Sequence, residues 1–452
     1  METIGRRISR RQFVRGAGAG VALFTIVPRH VLGGAGRKAP SDKLNIAGIG
    51  VGGQGGGDLN AVAGENIVAL CDVDERRAGG TFKKFAQAKR YLDFRKMLDE
   101  MHGQIDAVVI ATPDHTHAVA CMAALKRGKH VYCEKPLAHS IHEIRQLRQA
   151  ALAAKVVTQV GNQGHASDRI RSLCEWVRDG AIGKVTEVHA ACDAFGGQYS
   201  AVNDLAKLQE KHEVPKELDW DLWLGPAHQR PYHPMYVPTW WRAWLPFGTG
   251  RIGDWICHVV DPAFWALDLG APTTIQAEAK GYDPKVHALV YPPATKVTYE
   301  FPAKGKRPAV TLYWYDGEWK MPHPEALEKE RKVPGTGAIL IGEKGGITHG
   351  SHGAGGARII PEKLMRDYKQ PEPTIPRVKG HHQDWLAAIR EGRQAGSSFD
   401  YGGPLTELAL LGVIAIRFLG QKLQWDAAQV RFTNCAEANP YIHPPYRTGW
   451  RL

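Results

Sequence analysis

Leu44-Asn45-Ile46-Ala47-Gly48-Ile49-Gly50-Val51-Gly52-Gly53-Gln54-Gly55 is the stretch on which the fold turns. Leu44 to Ile49 reads as a short apolar strand, and G-x-G-x-x-G follows it directly. Gly50 permits a tight turn, Gly52 lets backbone approach a pyrophosphate, and Gly55 allows close helix packing. A helix opening near Gln54, with Gly53 before it, would aim its amide end at phosphates. Glycine-rich turns are common, so the motif needs its surroundings.

Those surroundings are strand and helix in alternation. Asn66 to Leu70 is a second apolar strand and runs into Cys71-Asp72-Val73-Asp74. Asp72 follows the glycines at near the spacing of about 20 residues expected for the carboxylate that holds a ribose diol. A carboxylate there repels a 2′-phosphate and favours NAD, while Arg76 and Arg77 keep NADP open. A third strand, Asp106 to Ala111, leads into Thr112-Pro113-Asp114-His115-Thr116-His117. A helix over 118–127 and a strand Lys129 to Cys133 come next, then Val156 to Val160. Such alternation gives a parallel, doubly wound Rossmann sheet. Thr112 and Pro113 end a strand at the carboxyl edge, where ligands of these sheets bind. Asp114 and Thr116 can equally cap the next helix, and His117 is as readily a packed residue as a cofactor neighbour.

Glu134-Lys135-Pro136 ends another strand at that edge. A lysine there is either a surface loop residue or a cation held over the nicotinamide. GIGVGGQG, CDVD, ATPDHTH and CEKPLA, in this order and spacing, resemble the Gfo/Idh/MocA oxidoreductases. The resemblance implies that Lys135 is catalytic, that the Lys135–Pro136 bond is cis, and that Glu134 lies by the cofactor.

Beyond Gly161-Asn162-Gln163 the pattern changes. Strands expected at Val185–Cys192, Ile275–Lys280, Lys296–Phe301, Ala309–Tyr315 and Gly337–Ile341 are separated by turns, which suggests a mostly antiparallel sheet, open on one face. Helices are expected over 168–179, 380–391 and 404–420. In the family such a sheet often joins subunits, so a homo-oligomer is implied. The fold class is therefore α/β: a Rossmann domain over 41–162, then an α+β domain over 163–452 with a large, mostly antiparallel open sheet.

Between residues 219 and 265 lie Trp220, Trp223, Trp240, Trp241, Trp244, Trp255 and Trp265. Most should be core, with one or two, such as Trp241, lining a sugar site. Asp254 and His258 fall one helical turn apart, and Asp261 is placed on the same side. His258 between two carboxylates would be a tuned base; as a structural residue it would simply be hydrogen-bonded. The family's D-x-x-x-H pattern matches Asp254 and His258 and implies catalytic roles for both. No third ligand is evident, so no metal is required. Asn162 and Tyr199 are further substrate candidates, and Asp261 joins them. His349 and His352 sit in a Gly-rich stretch that reads as a loop.

The totals exclude other classes. Apolar and charged fractions of 43% and 23% describe an ordinary globular chain. No run of about 20 apolar residues points to a membrane span. Much of the net charge of +12 sits in residues 1–36, where six Arg face one Glu, so no nucleic-acid partner is expected. The seven cysteines form no CxxC pair and read as small buried hydrophobes. Ser9-Arg10-Arg11-Gln12-Phe13-Val14, followed by a modest apolar run, resembles a twin-arginine export signal over 1–36, with cleavage expected within Leu32–Ala39. The expectation is an exported, NAD-dependent oxidoreductase acting on a hydroxyl of a sugar or glycoside, its cofactor tightly held. A redox-neutral glycosidase working through a 3-keto intermediate is the alternative, and a non-catalytic sugar-binding protein a more distant one.

Overall fold

In the computed structural model, which describes residues 42–193 and 196–452, the first alternation becomes a six-stranded sheet. Its strands are β1 (Asn45–Ile49), β2 (Asn66–Cys71), β3 (Lys89–Tyr91), β4 (Ala107–Ile110), β5 (His130–Cys133) and β6 (Thr158–Val160). They lie in the order 3-2-1-4-5-6, and all neighbours are parallel. Both faces are covered, so the strands are apolar on both: Ile46 and Val109 join one core, Ala47 and Ile110 the other. The order reverses between β1 and β4, and a crevice opens at their carboxyl ends.

The expected helix over 118–127 starts earlier, as Asp114–Leu125, with Pro113 as its N-cap. Pro113 fixes its own φ near helical values and needs no amide partner, so the chain turns helical at once. The leader expected over 1–36 lies outside the described residues.

The second sheet has nine strands: β7 (Val185–Cys192), β8 (Thr274–Lys280), β9 (Ala294–Phe301), β10 (Val310–Asp316), β11 (Gly337–Gly342), β12 (Gly345–Gly350), β13 (Arg358–Ile360), β14 (Leu423–Asp426) and β15 (Arg431–Phe432). Their order is 13-12-11-7-10-9-8-14-15; β7 and β10 run parallel and the other pairs antiparallel. One face, including Val188, Val297, Leu312 and Leu340, packs on the helices Gly250–Val259 and Phe399–Ala415. On the other face Met321 and Leu327 cover Ala191, Tyr315 and Ile339, so the face expected to be open is covered at one end. His349 is a buried residue of β12 rather than a loop residue. Helix Phe399–Phe418 is long and apolar enough to cross a membrane, but 83% of its most apolar window is buried inside the protein, as a core helix would be. All seven cysteines are free and buried.

Candidate active site

The glycine turn is sterically enforced. Gly50 has φ 73°, and a Cβ on it would sit 2.7 Å from the Thr112 amide nitrogen; one on Gly55 would lie 1.9 Å from the Gly50 carbonyl oxygen. Gly52 differs from expectation: its open side is filled by Arg77, whose Cβ lies 2.8 Å from where a side chain would start. Gly53, the N-cap of helix Gln54–Ala61, makes no side-chain capping bond, so the helix opens with unsatisfied amides. Asp72 at the end of β2 accepts from the Val51 and Gly52 amides at 2.8 and 3.0 Å and from the Asp74 amide at 2.9 Å. Burial nevertheless raises its pKa above the ordinary carboxylate value, outweighing those bonds. Arg76 is spent on Asp74, at 2.9 Å, whereas Arg77 faces the crevice beside Asp72.

From this turn a single cavity of about 580 Å³ runs to the edge of the second domain. Gly50, Gly52, Gln54, Asp72, Thr112 and Pro113 line its first part, and Glu134, Lys135, Tyr199, Trp241, Asp254 and His258 its second. A dinucleotide fits the first part by chemistry. An uncapped helix N-terminus suits a pyrophosphate, Asp72 suits a ribose diol, and Arg77 is the side chain that lies against the turn.

The second part is built on three elements. The cis Lys135–Pro136 peptide follows β5. Helix Gly250–Val259 carries Asp254 and His258 one turn apart, and the turn Trp240–Ala243 carries Arg242. Asp254 is buried between donors. Lys135 Nζ contacts its Oδ1, the Tyr199 hydroxyl donates to its Oδ2, and Arg242 Nε reaches Oδ2 at 3.0 Å. Trp255 Nε1 donates to the Tyr199 oxygen at 2.9 Å and fixes that ring. Burial pushes the Asp254 pKa up, but Lys135 and Arg242 more than offset it and hold the group far below the carboxylate range. For Lys135 burial favours the neutral form, yet Asp254 prevails and raises its pKa, so it stays an ammonium.

His258 is different. Burial first, then the Lys135 charge and His352, push its pKa well below the ordinary value, so the ring is neutral. Its Nδ1 is buried without a hydrogen-bond partner. The His352 ring stacks on it at 4.1 Å between centroids. Two neighbouring carboxyls are pushed upward: Asp114 to about 7 by burial and then by Asp254, Glu134 to about 8 by burial and then by Asp58. Asp114 Oδ2 accepts from the Thr249 amide at 3.0 Å and its hydroxyl at 2.7 Å, which ties the start of helix Gly250–Val259 to the Rossmann domain. Glu134 accepts from Gln163 Nε2 at 2.5 Å.

Five expected residues do not line the cavity: Gly53 and Gly55, which shape the turn from behind it, and Asp261, Asn162 and His117. Asp261 is not on the His258 face. The helix stops at Val259, a new one starts at Asp261 with Pro262 in its first turn, and Asp261 turns to His165 Nδ1 at 3.1 Å and to the Tyr401 hydroxyl. His258 therefore does not lie between two carboxylates. Asn162 goes with Asp261, donating to it at 3.2 Å and accepting from Ser397 Oγ at 2.6 Å. His117 is a clamp behind the site: its Nδ1 meets the Pro136 carbonyl at 2.7 Å and its Nε2 that of Thr112 at 2.8 Å. It holds the ends of β4 and β5 together rather than touching the crevice. Conversely, Arg242, Asp114 and Gln163 line the cavity and were not singled out as site residues from sequence; His352 of the Gly-rich stretch lines it as well. Arg242 stands among tryptophans with no periodic signal; Asp114 had one, as the polar residue after a strand-ending Thr-Pro. Of the tryptophans, Trp223, Trp241 and Trp255 line the cavity, and Trp244 is core.

A family described as "Oxidoreductase family, NAD-binding Rossmann fold" (GFO_IDH_MocA) matches residues 43–162, and its "C-terminal alpha/beta domain" matches 169–303. Inositol 2-dehydrogenase of Rubrobacter xylanophilus is 33% identical over 151 residues, 32% of this chain and 43% of that protein. Levoglucosan dehydrogenase of Pseudarthrobacter phenanthrenivorans is 26% identical over 195 residues, 43% of this chain and 40% of that one. The chain thus aligns with less than half the length of these relatives. In fold it is similar to an inositol dehydrogenase homologue from Azotobacter vinelandii solved with NAD+, with a TM-score of 0.57 at 15% identity over 85% of this chain and 97% of that one. Glycine turn, Asp72 and Glu134-Lys135-Pro136 sit within the first matched region and Asp254 with His258 within the second, and the chain belongs to the Gfo/Idh/MocA family of NAD-binding oxidoreductases.

Proposed function

We propose that this chain is an NAD-dependent oxidoreductase that exchanges a hydride with a hydroxyl-bearing carbon of a sugar or polyol. The observation that carries the reading is the single cavity joining the glycine turn to Lys135, Asp254 and His258. Gly50 to Gly55, Asp72, Thr112 and Pro113 would hold NAD, which supplies the hydride acceptor. Lys135 cannot be the base while Asp254 keeps it protonated. It instead places a fixed positive charge where an alkoxide develops, in a site shielded from water. His258, neutral and with an unpaired nitrogen, takes the hydroxyl proton. Asp254 positions the lysine, and Arg242 and Tyr199 position Asp254. Trp241 and Trp255 offer faces for the C–H side of a ring.

The names of the relatives, inositol 2-dehydrogenase and levoglucosan dehydrogenase, support a polyol or anhydrosugar class of substrate. The twin-arginine-like leader favours a second reading of the same site. An exported enzyme with a retained cofactor must restore it in place, either with a second sugar or by oxidising, cleaving and re-reducing one glycoside. Export and self-association through the polar part of the nine-stranded sheet, around Thr298 and Tyr313, belong to the proposal too.

The test is to mix NAD-loaded protein with a panel of polyols, sugars and glycosides and follow nicotinamide absorbance and free sugar together. NADH formation supports the oxidoreductase; glycoside cleavage with no net NADH supports the redox-neutral cycle. A Lys135→Met variant that binds NAD normally should lose about 10²–10⁴ in turnover. Unchanged turnover would overturn the assignment.

A further inference from the structure

We propose that the second cavity, behind the Leu245–Thr249 stretch, is a binding site for a small organic anion, a carboxylate or phosphomonoester with an apolar body. It goes beyond the oxidoreductase reading and uses none of its groups. The cavity measures about 260 Å³, too small for a dinucleotide, and Arg230 and Arg417 both line it. Neither guanidinium has a carboxylate partner among the described residues. Arg417 lies 4.3 Å over the Tyr441 ring, and Arg230 5.0 Å over that of Phe247. Aromatic faces orient a guanidinium, and Arg230 also meets the Tyr236 hydroxyl, which leaves its Nε to be accounted for.

Arg230 Nε is buried with no hydrogen-bond acceptor. A buried donor without an acceptor calls for an explanation, and an absent anion supplies one. The carboxylate in the lining, Glu143, is already engaged: it accepts from the Tyr446 hydroxyl at 2.5 Å and from the His139 and Ser140 amides at 2.8 Å. Burial also raises its pKa, which weakens its opposition to a bound anion. Pro226, Leu245 and Pro444 supply the apolar wall, which favours an organic body over a bare inorganic ion. The walls are firm. Of the lining residues, Tyr291 donates its hydroxyl to the Gly248 carbonyl at 2.8 Å and His139 Nε2 meets the same carbonyl at 2.9 Å, so both side chains are already held.

The experiment is calorimetric titration of NAD-saturated protein with phenyl phosphate, with phenol as the uncharged control. Saturation with NAD keeps the probe out of the first cavity. One phenyl phosphate per chain should bind, and phenol should not. Arg417→Gln should weaken binding about tenfold, and Arg230→Gln with Arg417→Gln should abolish it, with thermal unfolding and NAD affinity unchanged. Arg417→Lys, which keeps the charge but not the fork, should fall between. Equal binding of phenol, no saturable binding of phenyl phosphate, or wild-type affinity in the double variant would each overturn the proposal. None of these outcomes touches the oxidoreductase reading, which is judged on hydride transfer.

Discussion

Replacing Asp254 with Asn keeps the shape of the side chain and removes the one anion that Lys135 and Arg242 share. The side chains of the three are 8%, 15% and 25% exposed, so water screens the loss poorly. Removing one partner of a buried ion pair costs about 3–5 kcal/mol, because the remaining charge stays buried and uncompensated. Asn still accepts one hydrogen bond, which places the expectation at the lower end. The pH dependence has a definite sign. Asp254 titrates below its unfolded value, so its contribution is present above the ordinary carboxylate pKa of about 4 and fades as pH falls toward its folded value. Lys135 titrates above its unfolded value, so its contribution is present below about 10.4 and fades as pH rises beyond that. The gap between wild type and Asp254→Asn, read by urea denaturation of NAD-free protein, should be full between roughly pH 5 and pH 10 and shrink in acid. Adding Lys135→Met to the variant should recover part of the loss, because only Arg242 is then left unpaired. A gap under about 1 kcal/mol at neutral pH, the value of an exposed pair, would refute the buried-pair reasoning.

Other consequences are more compact. Glu134, pushed up to about 8 by burial and then by Asp58, binds a proton in the folded state that the unfolded chain has released. Its burial therefore costs stability increasingly as pH rises from the unfolded value toward 8. Glu134→Gln should gain on wild type over that window, by on the order of a few kcal/mol, in thermal unfolding followed across pH; a constant difference would contradict this. Asp72→Ala should weaken NAD binding more than NADP binding, measured by titration of each, and equal losses would remove its ribose role. Arg77→Ala should reduce residual NADP binding, whereas Arg76→Ala, held on Asp74, should not.

The Rossmann half was legible because its signals are local. A glycine turn after an apolar strand, and apolar strands buried on both faces, survive without knowledge of tertiary contacts. β3 was not legible: Lys89-Arg90-Tyr91 is a short, charged edge strand whose pairing with β2 alone defines it. β12 was read as part of a loop because Gly345 and Gly346 open it and Gly350 closes it, and only pairing on both sides, with β11 and β13, extends it. In the site, Lys135, Asp254 and His258 were legible through the family pattern. The misplacement of Asp261 came from carrying one helical period across Val260, where the first helix ends; Pro262, visible in the sequence, marks the first turn of a second helix that begins at Asp261. Arg242 was not legible, because a turn between two tryptophans carries no period that says where it points.

The most direct measurement is isotopic. NAD-loaded protein is mixed with a polyol carrying deuterium on its hydroxyl-bearing carbons, and the nicotinamide is examined by mass after one turnover. Deuterium on the nicotinamide ring in wild type, and its absence in Lys135→Met that still binds NAD, is the predicted result. Turnover of the polyol with no label reaching the ring would contradict the account.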